Sequence, residues 1–318
     1  MNDSNQPTAN GQRRKILVTG GAGFIGSNLV DALIEQNHDV VVVDNLSTGL
    51  RANVNKKAKF YEVDITSKSA LEDVFEKEKP EAVYHLAAQA SVRNSADNPQ
   101  NDVKVNVIGT INLLECAVKN DVKKFIFSST GGAIYGDNVE RPTTEDANED
   151  PVSPYGLDKL AGEKFIRYFE RNSSIKATCL RYANVYGPRQ NPKGEAGVVA
   201  IFASQMLKNE PVQINGTGEQ TRDFVFVKDV CAANLNALNS SVTGTFNIGM
   251  GKEISINELA QKMLDVSSSK SPVEHVEAKQ GEQMYSALSA EKARLELGFE
   301  PQYSLSDGLQ KTIEWFRK

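Results

Sequence analysis

A tyrosine and a lysine stand four residues apart in the segment 155–159. At that spacing Tyr155 and Lys159 lie on one face of a helix, and Pro154 suits the first turn of such a helix. A phenol has a pKa of about 10, so it is a poor base at neutral pH. A nearby ammonium group and a positively charged cofactor both favour the phenolate. The pair therefore predicts a site where Tyr155 removes a proton from a substrate hydroxyl.

A glycine-rich turn near the start of the chain indicates that a dinucleotide binds beside this pair. Gly20, Gly23 and Gly26 follow an apolar strand and open a helix, which is the context that a phosphate-binding loop requires. Glycine permits the tight turn, and the helix N-terminus offers free N–H groups to a pyrophosphate. Asp44, at the end of the next strand, would bind the adenosine ribose and repel a 2′-phosphate. The predicted cofactor is therefore NAD rather than NADP.

The elements around these residues predict a doubly wound α/β fold. Short apolar strands are predicted at 16–19, 40–43, 59–63, 82–86, 125–128 and 176–180. The helix after the glycine turn carries Ile25, Leu29 and Leu33 on one face, and a second helix is predicted over 107–118. Continuous apolar strands that alternate with helices require a parallel sheet covered on both faces. We therefore expect a Rossmann-type sheet.

The pattern changes after Tyr182, where residues 184–197 are rich in Gly, Pro and Asn and predict a long irregular loop. A helix is predicted over 198–208, strands over 212–214 and 224–227, a helix from Ser255 to about residue 266, and a C-terminal helix. These features predict a smaller α+β substrate-binding region. The expected division is a disordered tail over 1–14, an NAD-binding domain over 15–183 to which 230–248 returns, and a substrate-binding domain over 184–318.

The composition excludes several other classes of function. A net charge of −5 without a concentrated basic patch argues against nucleic acid as a partner. The three cysteines form no CxxC motif and the three histidines lack ligand spacing, so no metal is expected. No apolar run reaches the ~18 residues of a membrane span, and the first 14 residues lack a signal peptide. We expect a cytoplasmic protein with no membrane partner.

Together these motifs resemble the extended short-chain dehydrogenase/reductase family, and within it the NAD-dependent nucleotide-sugar epimerases and dehydratases, most closely the UDP-glucose 4-epimerases. The resemblance extends from Lys15 to about Phe316. The matching segments are the glycine loop, 44–49, 64–65, 85–89, Asn106, Tyr155 with Lys159, 181–188 and 221–225.

The resemblance implies a cofactor site in which further residues join the glycine loop. Some would contact the adenosine, others the pyrophosphate, and Tyr182 would pack near the nicotinamide. The implied cofactor-binding residues are Gly20, Gly23, Phe24, Ile25, Gly26, Asp44, Asn45, Ser47, Gly49, Asp64, Ile65, Leu86, Ala87, Ala88, Gln89, Asn106, Tyr155, Lys159 and Tyr182.

The family also has a third catalytic residue, a Ser or Thr that follows the strand ending here at Ser128. The segment carries one more residue than the commoner form, so Thr130 is assigned to this role with Ser129 as the alternative. Dehydratases of the family follow this position with an Asp-Glu pair, and decarboxylases usually carry a Glu. This chain has Gly131 and Gly132 instead, which cannot transfer a proton. Elimination and decarboxylation are therefore disfavoured.

For the substrate, the resemblance implies contacts to the nucleotide phosphates and the sugar. Lys279 replaces the family's usual Arg and lacks its planar fork. Ser286 is small and would admit a 2-acetamido group, whereas a shift of the alignment onto Tyr285 would reverse that inference. The implied substrate-binding residues are Ser129, Thr130, Asn184, Val198, Arg222, Lys279, Glu282 and Ser286.

The implied function is 4-epimerisation of a UDP-hexose through a transient 4-keto sugar. UDP-glucose and UDP-galactose are the expected substrates, and the N-acetylhexosamine pair is a further possibility. Two alternatives stay open: another NAD-dependent nucleotide-sugar enzyme, such as a UDP-glucuronate 4-epimerase or a 4-keto reductase, and a non-catalytic NAD-binding protein. Relatives of the last kind commonly lose the Tyr or the Lys. The resemblance also implies a homodimer formed through helices 107–118 and 155–169.

Overall fold

The computed structural model describes residues 13–192, 197–278 and 283–318. The strands are β1 (Lys15–Thr19), β2 (Asp39–Asp44), β3 (Lys59–Glu62), β4 (Ala82–His85), β5 (Lys124–Thr130), β6 (Lys176–Tyr182), β7 (Asn184–Tyr186), β8 (Val212–Asn215), β9 (Thr221–Arg222), β10 (Phe224–Phe226), β11 (Gly244–Ile248), β12 (Ile254–Ser255) and β13 (Val273–Val276).

The helices are α1 (Phe24–Glu35), α2 (Lys68–Glu78), α3 (Val92–Asp97), α4 (Pro99–Val103), α5 (Gly109–Lys119), α6 (Gly131–Ile134), α7 (Pro154–Asn172), α8 (Val198–Leu207), α9 (Val227–Asn239), α10 (Ile256–Ser267), α11 (Glu291–Leu297) and α12 (Leu305–Phe316). A 3₁₀ turn covers Arg51–Asn53, and a π-helical turn, Lys104–Ile108, connects α4 to α5.

Seven strands form one parallel sheet in the order β11-β6-β5-β4-β1-β2-β3. Consecutive strands are added outward on one side of β1 and then on the other, so the order reverses between β1 and β4. In such sheets the ligand lies in the crevice at this switch point, beyond the carboxyl ends of the strands. The predicted doubly wound fold is confirmed.

The strands alternate their side chains between two buried layers. Ile16 and Val18 of β1 face a core that includes residues of α1 and α9. Leu17 faces the opposite core, which includes residues of α2, α5 and α7. Because both faces are covered, most residues of the central strands are apolar, which explains the continuous runs in the sequence. Helix α7, which carries the tyrosine and the lysine, lies on the second face.

The second half of the chain builds a third core from α8, α10 and α12 together with short strand pairs. Strand β8 pairs with β13, and β9 pairs with β12. The predicted irregular loop over 184–197 is wrong at its start, because Asn184–Tyr186 forms β7 and pairs in parallel with β10. A strand of three residues shows no readable period, and its partner lies far along the chain. The strands β9, β12 and β13 were also not predicted from the sequence.

Strand β11 brings the chain back to the main sheet, where it pairs in parallel with β6 at the edge. Helix α9, which precedes it, packs against α1. On this pairing we propose that residues 230–248 belong with the NAD-binding half; the other boundaries stay predictions from the sequence.

A buried charge cluster fixes α7 on the sheet. Glu163 of α7 accepts hydrogen bonds from Arg181 Nε of β6 at 2.9 Å, from Arg181 Nη2 at 2.7 Å and from Ser129 Oγ of β5 at 2.5 Å. Arg181 also donates to Tyr135 Oη at 2.8 Å and to Glu149. Arg181 and Glu163 are 1% and 3% exposed, so each charge needs its partner. The cluster sets the position of α7 relative to the carboxyl end of β5.

Candidate active site

The glycine turn forms the first part of the site, between β1 and α1. Gly20 has a φ of +69°, and a Cβ added there would stand 2.6 Å from the backbone nitrogen of Ala87. A Cβ on Gly26 would stand 2.1 Å from the carbonyl oxygen of Gly20. Glycine is therefore required at both positions by backbone that approaches backbone. This close packing leaves the first-turn N–H groups of α1 facing the switch point, and such groups bind phosphate.

Asp44 lies at the end of β2 and is 7% exposed. Its carboxylate accepts the backbone N–H of Ala22 at 3.0 Å and that of Leu46 at 2.8 Å. Gly49 packs against it, since an added Cβ would stand 2.9 Å from Asp44 Oδ1. The two backbone donors orient the carboxylate and leave further lone pairs. This geometry fits the binding of two ribose hydroxyls.

The predicted adenine-binding residues come together beside Asp44. Asn45 Nδ2 donates to Asp64 Oδ2 at 2.9 Å, and Asn45 Oδ1 accepts the backbone N–H of Ser47 at 3.0 Å. Ile65 is buried, and Gly109 lies close enough that an added Cβ would stand 2.6 Å from Ile65 Cδ1. The side chains of this cluster are held by one another in the arrangement that an adenosine pocket requires.

The loop after β4 forms the opposite wall. Ala87 N donates to Thr19 Oγ1 at 3.2 Å. Asn106, in the π-helical turn, brackets Gln89: its Oδ1 accepts Gln89 N at 2.9 Å and its Nδ2 donates to Gln89 O at 3.0 Å. Ala88 lies between these two anchors, Leu86 precedes them, and both residues are half-buried. Because its amide is engaged with this backbone, we propose that Asn106 shapes the loop and does not contact the cofactor through its side chain.

His85 is a residue of this wall to which the sequence assigned no role. It is 1% exposed and lies between Thr19 Oγ1, 2.9 Å from Nδ1, and Thr110 Oγ1, 2.9 Å from Nε2. Thr110 Oγ1 donates to Asn106 O at 2.6 Å, so it accepts from His85 Nε2–H and Nδ1 accepts from Thr19. Burial, followed by Lys159, lowers the pKa of His85 well below its usual value. The neutral ring therefore connects β1 to the start of α5.

The structure brings Thr130, Tyr155 and Lys159 together at the carboxyl end of β5. The hydroxyl groups of Thr130 and Tyr155 are hydrogen-bonded. Lys159 Nζ donates to Ser128 O at 2.9 Å and lies 6.0 Å from the centre of the Tyr155 ring. Ser129 turns the other way, because its hydroxyl is 2.5 Å from Glu163 and the residue is 3% exposed. Ser129 is therefore not available either to the phenol or to a substrate.

The protonation states differ from the simple expectation. Burial, followed by the charge of Asp102, raises the pKa of Tyr155 to about 12, and the hydrogen bond from Thr130 only partly opposes this. Burial lowers the pKa of Lys159 to about 8, against the opposing charges of Asp102 and Glu163. The predicted effect of the ammonium and the cofactor charge on the phenolate stays a prediction, because in the protein alone burial dominates the pKa of Tyr155. An additional positive charge is required for a phenolate at neutral pH.

The two residues that follow Thr130 are glycines and supply neither an acid nor a base. A Cβ on Gly131 would stand 2.2 Å from Leu288 Cδ1, so a side chain is excluded there. At Gly132 the nearest such contact is Asn184 Oδ1 at 4.0 Å, which leaves open space. Asn184 thus faces this opening from β7. The site can move a proton through Tyr155 and Thr130, and it offers no second proton donor at this position.

The segment 283–288 crosses the site on its substrate side. Asp223 is fully buried and one of its carboxylate oxygens accepts Leu288 N at 3.1 Å. Ser286 is 5% exposed, whereas Tyr285 is 43% exposed and its ring lies 5.0 Å from the guanidinium of Arg141. The segment therefore turns its serine inward and its tyrosine outward.

The other predicted substrate residues are less closely grouped. Arg222 is half-buried on β9 and its Nη1 donates to Thr221 O at 2.8 Å. Val198 is the first residue of α8 and is half-buried. Tyr182, predicted at the nicotinamide, is 5% exposed and its hydroxyl is bound to Asn234. Lys279 and Glu282 lie outside the described residues.

Two buried acids beside the tyrosine, Asp102 and Asp158, were not recognised as part of the site. Asp102, Asn106 and Thr110 are all buried and follow one another at intervals of four. Polar residues at helical spacing in an apolar helix were the available signal. Asp158 lies within the tyrosine–lysine motif itself, where nothing local marks it as buried.

The three cysteines are free and buried. Burial raises the pKa of Cys116 to about 11, which disfavours a reactive thiolate. Among the described residues no three His, Cys, Asp or Glu side chains are grouped to hold a metal ion. No helix within the described ranges is long and apolar enough to span a membrane.

Comparison with known proteins identifies the family. Residues 16–249 match the NAD dependent epimerase/dehydratase family. A UDP-glucose 4-epimerase of Mycolicibacterium smegmatis is 41% identical over 309 residues, which cover 95% of this chain and 98% of the relative. The crystal structure of a UDP-glucose 4-epimerase from Thermotoga maritima with UDP-glucose has a TM-score of 0.94 and 49% identity, over 95% of this chain and 98% of that one. A Thermus thermophilus UDP-glucose 4-epimerase in complex with NAD has a TM-score of 0.90 and 40% identity, over 95% and 99%. The chain belongs to the NAD-dependent epimerase/dehydratase family.

Proposed function

We propose that the protein is an NAD-dependent UDP-hexose 4-epimerase that interconverts UDP-glucose and UDP-galactose. The observation that carries the proposal is the contact of Tyr155 with Thr130 and Lys159 at the carboxyl end of β5. Strand β5 is separated from the glycine turn of β1 by β4 alone. A dinucleotide that lies across this edge from Asp44 therefore reaches the phenol with its nicotinamide end. The relatives that carry this activity support the assignment.

The residues present fit NAD. The close approach of Gly20 to Ala87 and of Gly26 to Gly20 forms the cradle for the pyrophosphate, and Asp44 is oriented for the ribose. A 2′-phosphate would meet the carboxylate of Asp44 at a buried position, which disfavours NADP. When bound, oxidised NAD would supply a hydride acceptor and donor for carbon 4 of the sugar and a positive charge beside Tyr155.

Tyr155 performs the proton transfer. As a phenolate it accepts the proton of the sugar 4′-hydroxyl, and it returns that proton when the hydroxyl is restored on the opposite face. Thr130 is hydrogen-bonded to the phenol and provides a hydroxyl through which the proton can pass to a sugar oxygen. Lys159 is held by Ser128 O, so its ammonium stays near the phenolate. Proton release is expected to depend on the filled cofactor site, because the protein alone keeps Tyr155 protonated.

The two glycines that follow Thr130 favour epimerisation over elimination. Water elimination needs an acid for the departing hydroxyl and a base for a carbon-bound proton, whereas epimerisation needs one group that accepts and returns the same proton. Gly131 and Gly132, which follow Thr130, provide no such acid. The chemistry that the described residues support is therefore reversible oxidation at one carbon.

The substrate side supports a pocket that also admits N-acetylhexosamines. We assign Ser286 to the sugar pocket because it is buried while Tyr285 stacks outward on Arg141. Asn184, Arg222 and Lys279 are assigned to the nucleotide phosphates by family resemblance, and Glu282 is assigned to the substrate without a named contact. Lys279 and Glu282 lie outside the described ranges.

We also propose that the enzyme is a homodimer. Helix α7 exposes Leu157, Phe165 and Tyr168, which are 54%, 39% and 60% exposed. Beside it, Ile108 in the π-helical turn and Val118 in α5 are 45% and 36% exposed. Helices α5 and α7 pack side by side. Two adjacent apolar stripes of this kind fit a symmetric pairing of two copies.

The activity is tested by proton NMR of the protein with NAD and, in separate samples, UDP-glucose, UDP-galactose, UDP-GlcNAc and UDP-GalNAc. We expect each hexose to yield its 4-epimer, and the N-acetylhexosamines to react as well because of Ser286. Tyr155→Phe should lower kcat at least about 100-fold, since it removes the proton acceptor, while UDP binding is retained. Conversion at the wild-type rate by Tyr155→Phe would remove the phenol from the mechanism. No conversion of any of the four substrates would reject the proposed activity.

The assignment of the hydroxyl is tested by a matched series at neighbouring positions. Thr130→Ala should lower kcat about 100-fold because the hydrogen bond to Tyr155 is lost, whereas Thr130→Ser keeps the hydroxyl and should retain most of the activity. Ser129→Ala is the control: it should leave kcat within a few fold and lower the unfolding midpoint, because Glu163 loses a buried donor. The reverse ranking of Thr130→Ala and Ser129→Ala in kcat would transfer the role to Ser129.

The dimer is tested by sedimentation velocity. The wild-type protein should sediment with twice the mass of one chain, and Phe165→Glu should shift it to the monomer by placing a charge in the apolar stripe. Leu295→Glu is the matched control, since Leu295 is 68% exposed on α11, and it should remain dimeric. A wild-type monomer, or a dimer that survives Phe165→Glu and is lost with Leu295→Glu, would contradict the proposed surface.

A further inference from the structure

Two buried carboxylic acids lie beside the tyrosine–lysine pair. Asp102, near the end of α4, is fully buried, and Asp158, on α7, is 6% exposed. The two carboxyl groups lie close enough to interact directly. Asp102 also acts on the pKa values of Tyr155 and Lys159, both of which its charge raises. The ionisation of these acids therefore bears directly on the groups that transfer the proton.

The contact between the acids needs a proton to be stable. Asp102 Oδ1 accepts Gln89 Nε2 at 2.5 Å, but Asp102 Oδ2 and Asp158 Oδ2 are buried and no donor among the described residues reaches them. Two ionised carboxylates in such a contact would repel each other and leave both oxygens unsatisfied. One proton held between them satisfies both. In agreement, burial and then Asp102 raise the pKa of Asp158 to about 7.

We propose that Asp102 and Asp158 share one proton at and below neutral pH, and that this proton limits the negative charge beside Tyr155 to one unit. Loss of the proton would double that charge and oppose formation of the phenolate. The two acids are positioning residues, because they act on Tyr155 and Lys159 and not on the sugar. The consequence for turnover depends on the proposed epimerase function, whereas the shared proton itself does not.

The other groups around the two acids supply no positive charge that would offset a second ionised carboxylate. Glu163, one turn beyond Lys159, is compensated by Arg181. His85, at the end of β4, is kept neutral by burial, and Gln89 carries no charge. On the outer side Lys104, Arg93 and Asp97 are exposed to solvent, which screens their charges.

Asp102 is also linked to the loop after β4 through Gln89. Gln89 donates to Asp102 through its side chain, and its backbone is bracketed by Asn106. The same residue therefore contacts the shared acid and forms the wall predicted to line the cofactor. A change in the charge of Asp102 changes the strength of the bond from Gln89, so the proton and the loop are physically coupled.

The test uses two variants that each remove one titrating carboxyl and keep its shape. Asp158→Asn and Asp102→Asn both place an amide donor against the remaining carboxylate, so the pair carries one negative charge at every pH. The ionisation of Tyr155 is followed by phenolate absorbance in the NAD-bound protein, as the difference from the same protein with Tyr155→Phe, which isolates it among nine tyrosines. Both variants should keep its midpoint at the wild-type value, because up to neutral pH the shared proton already limits the wild-type pair to one negative charge.

The control is Asp97→Asn, which removes a charge from an exposed position on the neighbouring α3. It should leave the Tyr155 midpoint at the wild-type value. A midpoint lowered by about one pH unit in both Asp158→Asn and Asp102→Asn would show two ionised acids in the wild type and would overturn the proposal. The wild-type midpoint in both variants of a protein without epimerase activity would support the shared proton and reject the proposed function, so the two failures are distinguishable.

A second readout does not involve Tyr155. The pKa of Asp158 lies above its unfolded value of 3.8, so between about pH 4 and 7 the folded protein holds a proton that the unfolded chain has released. The free energy of unfolding of the wild type therefore falls as pH rises through this interval. Asp158→Asn lacks this loss, so its stability relative to the wild type should rise from pH 4 to 7 and then level off. A difference that does not change with pH would contradict the shared proton.

Discussion

The buried carboxylate of Glu163 determines where helix α7 lies on the sheet. It stands four residues beyond Lys159, on the same face of the helix, and it accepts hydrogen bonds from Ser129 on β5 and Arg181 on β6. These bonds orient α7 so that Tyr155, at its first turn, reaches Thr130 at the end of β5. Because the ion pair is almost fully buried, neither partner can move without leaving an uncompensated charge. The geometry of the proton-transfer site follows from this constraint.

Parts of the site that depend on local chain geometry could be predicted from the sequence. The glycine turn and the tyrosine–lysine pair each need only a strand, a turn or one helical face. Their spacing is visible in a few consecutive residues. The fold class could be predicted for a similar reason, since strands that are buried on both faces are mostly apolar.

Other features depend on contacts between distant segments, and these were missed. Strand β7 exists only because it pairs with β10. The raised pKa of Tyr155 depends partly on Asp102, which α4 brings next to α7. The choice between Thr130 and Ser129 could not be made from a segment with an extra glycine, because it depends on which hydroxyl faces Glu163. Burial and electrostatics arise from the packed structure and leave little trace in local spacing.

These features act together on the ionisation of Tyr155. Burial holds Tyr155 as a phenol, Lys159 lies close enough to stabilise a phenolate, and the acids Asp102 and Asp158 determine how much negative charge opposes it. The site is therefore arranged so that proton transfer follows the arrival of positive charge with the cofactor. A site of this kind suits a reaction in which the same proton leaves and returns in each cycle.

The central claim is that one carbon of the sugar loses and regains the same hydride within a single turnover. The direct measurement uses UDP-galactose with deuterium at carbon 4 in ordinary water, with the product analysed by NMR and mass spectrometry. We expect the product UDP-glucose to retain the deuterium at carbon 4, without exchange with solvent. Product that has lost the label to solvent would contradict hydride transfer and require a mechanism that removes a carbon-bound proton.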